Sequence, residues 1–89
     1  MSLTISQLIK KWILLRLSQG NHYVKTSDIE TSLVNYSKEY WGILHTPSTW
    51  SRGWRDFRRL QEYKDIDIQS ITRVKNNRSR QHTWMIETG

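Results

Sequence analysis

Hydrophobic positions along the chain recur with helical spacing in three places and with strand-like spacing near the end. Ile5, Leu8, Ile9, Trp12, Ile13 and Leu17 follow one another at intervals that gather side chains on one face of a helix. Thr4-Ile5-Ser6-Gln7 precedes them as a capping box, in which Thr4 and Gln7 satisfy each other's backbone donors. Gly20 follows as a residue able to take the left-handed backbone that stops a helix. The pattern predicts a first helix over about 5–18, with Leu14 and Leu15 widening its apolar face. That extra width is expected to be filled by the core, with a second copy of the chain as the alternative.

His22-Tyr23-Val24-Lys25 is short and β-prone, and reads as a single strand or an extended connector. Ser27-Asp28-Ile29-Glu30 is a second capping box, and Ile29, Leu33 and Tyr36 carry the helical period onward beside Val34. A second helix is expected over about 28–38. Between Lys38 and His45 the chain is aromatic and apolar around Gly42. It is expected to turn there with Tyr40, Trp41, Ile43 and Leu44 packed inward, or else to extend the second helix by a turn.

The third periodic stretch, Thr46 to Tyr63, organises the chain. Thr46 is a fitting N-cap and Pro47 a fitting first helical residue, since its missing N–H costs nothing there. On a helix over about 47–62, Trp50, Trp54 and Phe57 form one narrow stripe, with Gly53 and Leu60 at its edge. Ser48, Arg52, Arg55 and Arg59 fall on the opposite side, flanked by Ser51. Asp56 is expected off that face and toward the stripe, leaving Arg52 and Arg55 without a neutralising acid. Beyond this helix, Asp65 to Ile68 begins to alternate, and Ile71, Thr72 and Val74 continue as a β-leaning run. Lys75-Asn76-Asn77-Arg78-Ser79-Arg80 reads as a cationic turn, and His82 to Ile86 as the returning strand. The hairpin is expected over about 68–86.

Composition narrows the functional classes. Eighty-nine residues with no repeat, linker or low-complexity tract fit one domain, residues 1–89. A hydrophobic content of 36% is low, and five tryptophans and four tyrosines must compensate by burying large areas. The net charge of +6 favours a polyanionic partner. With no cysteine, disulfides and cysteine-based zinc sites are excluded. The apolar run Trp12–Leu15 is too short to span a bilayer, and Lys10 and Lys11 break the order of a signal peptide. No membrane partner is expected, and the cytoplasm is the expected compartment, nucleoid-associated or that of a virus's host cell.

Catalysis finds little support. Glu62-Tyr63-Lys64 with Asp56 upstream faintly echoes metal-dependent nucleases, which place such residues on strands rather than at a helix end. Asp65 and Asp67 suit a solvated loop, and His22, His45 and His82 lack ligand spacing. No catalytic residue, metal or cofactor is expected.

The order helix, short strand, helix, turn, basic helix and basic hairpin resembles the winged helix-turn-helix family of DNA-binding domains. The residues that carry the resemblance are the helix from Ser27, the run Thr46 to Arg55, and the hairpin Arg73 to Arg80. The resemblance implies an α+β, mostly α fold of three helices with a C-terminal β-hairpin wing. It places Ser48, Thr49, Ser51, Arg52, Arg55 and Arg59 in the major groove of duplex DNA. Lys75, Asn76, Asn77, Arg78 and Arg80 take the wing's place on the backbone or minor groove. The link from Glu39 to His45 is longer than the tight turn of the simplest members. A transcriptional or replication-type regulator is the expected function. The alternatives are RNA or single-strand binding on a platform of Trp41, Trp50 and Trp54, and a protein-interaction or dimerisation module using the first helix.

Overall fold

Side chains set the start of each of the three main helices. In the computed structural model, which describes residues 3–76 and 82–89, the Thr4–Gln7 capping box is complete at the start of α1 (Ile5–Ser18). Gly20, at φ +79°, ends the helix as expected. Its N–H donates to Leu17 at 3.0 Å, and that of Asn21 donates to Arg16 at 2.9 Å. β1 (Tyr23–Lys25) follows.

The second helix, α2, starts two residues earlier than expected and takes the alternative of extension by a turn, over residues 26–41. Ser27 is already helical and makes no capping bond. Asp28 reaches back instead, its carboxylate accepting from the Lys25 N–H at 2.9 Å and from Arg16 at 3.1 Å. The reciprocal half of a capping box is therefore present two residues earlier. Two widened π-helical stretches, Asp28–Leu33 and Ser37–Trp41, enclose α-helical Val34–Tyr36. Buried Ser37 donates its hydroxyl to the Val34 carbonyl at 2.9 Å, while its own carbonyl accepts from Gly42 and Ile43. Gly42 supplies the left-handed turn, at φ +66°.

Inward packing of the whole Tyr40–Leu44 segment is therefore not what forms. Helical continuation brings Tyr40 over Tyr36, with ring centres 4.6 Å apart, on the outside of the molecule. Tyr40 and Leu44 are 65% and 75% exposed, whereas Trp41 and Ile43 are half-buried against the core.

The third helix, α3 (Pro47–Arg59), starts as expected and stops three residues short of 62. Leu60 closes it and is exposed rather than sealing the apolar stripe. Gln61 is left-handed at φ +53°, and Glu62–Ile66 forms a 3₁₀ turn where alternation suggested an incipient strand. Lys10 holds that turn to α1 through Asp65 at 2.7 Å.

β2 (Ile68–Asn76) and β3 (His82–Thr88) pair antiparallel, and β1 pairs with the other edge of β3, giving the order β1-β3-β2. Val24, Ile68, Trp84 and Ile86 turn inward from the sheet. They meet Leu8, Ile9, Trp12 and Ile13 of α1, Ile29 and Leu33 of α2, and Trp50, Trp54 and Phe57 of α3. Each large apolar side chain so buried contributes roughly 1.5–3 kcal/mol. Gly53 lets α1 and α3 touch, since a Cβ there would collide with Ile5 Cγ2. The result is an α+β fold, mostly helical, with one three-stranded antiparallel sheet.

Candidate nucleic-acid interface

The tryptophan stripe and the arginine face of α3 are oppositely placed. Trp50, Trp54 and Phe57 are 0%, 2% and 0% exposed, whereas Arg52, Arg55 and Arg59 stand in solvent. Asp56 is exposed too, not turned toward the stripe, and its carboxylate lies 4.0 Å from Arg55 Nε. Both side chains are more than half exposed, so this contact neutralises little. Burial of Trp50 and Trp54 removes them from any base-stacking platform, and half-buried Trp41 packs edge-on to Tyr36 at 5.2 Å.

The hydroxyls expected at the helix start divide by use. Thr46 caps the helix, accepting from the Thr49 N–H at 3.3 Å. The Thr49 and Ser48 hydroxyls lie 2.9 and 3.1 Å from that of Thr46. Thr49 is half-buried and lines a shallow cleft with Ile5, Ser6, Arg52, Asp56 and Glu62. Ser48 is exposed on the arginine side. With Ser51 it lines a groove of about 520 Å³ between α3, the start of α2 and β3. Arg52 and Arg55 line that groove, as do Glu30, Arg58, His82 and Trp84.

Arg58, absent from the sequence reading, is the groove's central cation. Its guanidinium carbon lies 4.5 Å from the Trp84 ring centre and 5.8 Å from that of Trp54. Burial, and then the neighbouring charges of Arg73 and Arg55, hold its pKa below the usual arginine value. It remains a cation at neutral pH all the same. Arg73 sits opposite Trp84 in the β2–β3 ladder, so the two side chains share a face of the sheet. The Trp54–Arg58 spacing of four contained a usable signal, because i and i+4 are neighbours on a helix. The proximity of Arg73 depends on strand register and had no local signal.

The hairpin is present, with Lys75 opposite Thr83 and Asn76 opposite His82 in its backbone ladder. Asn77, Arg78 and Arg80 lie outside the described residues, and only the backbone of Lys75 and Asn76 is described. Among the described residues no group of three histidines and acids could hold a metal ion. Asp65 is engaged by Lys10, and His45 packs edge-on to Trp50 at 5.3 Å. Among the same residues no helix is long and apolar enough to cross a membrane. Comparisons with protein-family models, curated proteins and solved structures give no match for this chain.

Proposed function

We propose that the protein binds duplex DNA as a winged helix-turn-helix regulator, with α3 in the major groove and the β2–β3 hairpin against the backbone or minor groove. One observation carries the reading: α3 buries its aromatic stripe completely while presenting Ser48, Arg52, Arg55 and Arg59 to solvent. Arginine's fork matches the O6 and N7 acceptors of guanine, and each such pair is worth roughly 1–3 kcal/mol of discrimination. The element order and the β1-β3-β2 sheet support the same reading.

The test is titration of duplex DNA across a salt series, beside single strands and RNA hairpins at one ionic strength. With about five phosphates neutralised, log K should fall against log salt with a slope near −4 to −5. Salt-insensitive binding, or none at low salt, rejects the reading in favour of a protein-docking module. A homodimer through α1 belongs to the same proposal, because Leu14 is 45% exposed on that helix. Sedimentation with and without duplex measures it.

A further inference from the structure

We infer that the junction of α3 with the sheet is an oxyanion site, in which Arg58 and Arg73 together take one phosphate group beside Arg55. The inference rests on the nucleic-acid reading only for the source of that phosphate, a backbone diester. Its anion chemistry follows from the arrangement of the side chains.

Three cations from two elements share this corner. Arg55 and Arg58 leave α3 one turn apart, and Arg73 stands opposite Trp84, the ring on which Arg58 lies. Like charges so placed repel one another. Among the described residues the nearby acids are Glu30, which lines the groove, and Asp56, loosely placed beside Arg55, and neither pairs with Arg58 or Arg73. Ion pairs among the described residues are Lys10–Asp65, Arg16–Asp28 and the loose Arg55–Asp56 contact, so Arg58 and Arg73 take part in none. The segment 77–81, Asn-Arg-Ser-Arg-Gln, contains no carboxylate either.

The groove's polar atoms point to the same kind of guest. Ser51 Oγ, Trp54 Nε1, Arg58 Nε, His82 Nδ1 and Trp84 Nε1 are all buried with no hydrogen-bond partner among the described residues. These residues also line the one groove, and Trp54 and Trp84 are more than nine-tenths buried. The indole and guanidinium N–H groups are donors only, so the groove is rich in donors and asks for acceptors. Unmet buried donors cost free energy that an acceptor returns. Arg58 also lies beside two indoles, 4.5 Å from the Trp84 ring centre and 5.8 Å from that of Trp54, so its fork loses little freedom on binding. A phosphate offers several acceptor oxygens and a charge that relieves the repulsion.

Pyrophosphate and a DNA duplex separate this site from the reading it rests on. The Arg58 Nε–H signal is followed by NMR while pyrophosphate replaces chloride at constant ionic strength. The expected result is a saturable shift, weakened about tenfold by Arg73→Gln and unchanged by Lys38→Gln, whose residue lies at the other end of α2 from Glu30. With duplex, Arg58→Gln and Arg73→Gln should each lower the salt slope by about one. Exposed Arg73 carries the test if the Arg58 variant fails to fold. A pyrophosphate response with no duplex binding keeps the site and removes the DNA reading. Duplex binding with no pyrophosphate response and unchanged slopes does the reverse. Equal loss in Arg73→Gln and Lys38→Gln reduces the effect to diffuse charge and overturns the site.

Discussion

The Thr26 hydroxyl accepts from the His82 N–H at 3.0 Å and lies 3.4 Å from the His82 carbonyl, to which it donates. This one side chain ties the first turn of α2 to the first residue of β3. Thr26→Val keeps the shape and removes both bonds, so a stability loss of about 1–2 kcal/mol is expected, with faster amide exchange at His82. Urea unfolding and hydrogen exchange measure the two. Unchanged exchange at His82 would show that the strand start is held by its ladder alone.

Arg52 and Arg55 stand on the outer face of α3 and are expected to read bases, whereas Arg78, outside the described residues, is expected on the backbone or minor groove. Arg52→Ala and Arg55→Ala should lose sequence preference, each by roughly 1–3 kcal/mol at its own base pair. Arg78→Ala should weaken all duplexes alike. Selection of bound sites from random duplexes distinguishes them, and equal behaviour of all three variants contradicts the division.

Among the described residues Glu30 is the acid that lines the groove beside Arg52, Arg55 and Arg58. Its charge opposes a polyanion there, so Glu30→Gln should raise duplex affinity several-fold at low salt. The gain should shrink toward 1 M salt as screening shortens the reach of the charge. A fall in affinity would mean that Glu30 positions an arginine rather than repelling the ligand.

Gly53 faces Ile5 at the crossing of α1 and α3. Gly53→Ala gains about 1 kcal/mol of helix propensity but meets an overpacking cost of about 1–3 kcal/mol. A net loss is expected, and it should be recovered when Ile5→Ala is combined with it. A double-mutant cycle in urea reads this coupling directly. A stabilised single variant would mean that Ile5 turns aside without cost.

Local chemistry and periodicity made much of this architecture readable in advance. The α1 capping box, Gly20, and the Thr46-Pro47 start act within a few residues, and the Trp50–Trp54–Phe57 stripe follows from helix geometry alone. The start of α2 was not readable, because its cap depends on Asp28 bonding both Lys25 and Arg16, a residue twelve positions earlier. Its extension through Trp41 rests on π-helical turns, which shift the period away from the usual spacing. At the candidate site, the arginine face of α3 was legible from one helix. The groove was not, since Thr26, Glu30, His82 and Trp84 reach it from two other stretches of chain.

The strand returning from the hairpin occupies the middle of the sheet, laced to β1 along one side and to β2 along the other. A hairpin rooted in that way cannot pivot at its base without breaking a second ladder and exposing Trp84. The separation between the outer side of α3 and the hairpin root is therefore set during folding. A partner touching both must offer its two contact points at that one spacing, which turns the sheet order into a ruler for target shape.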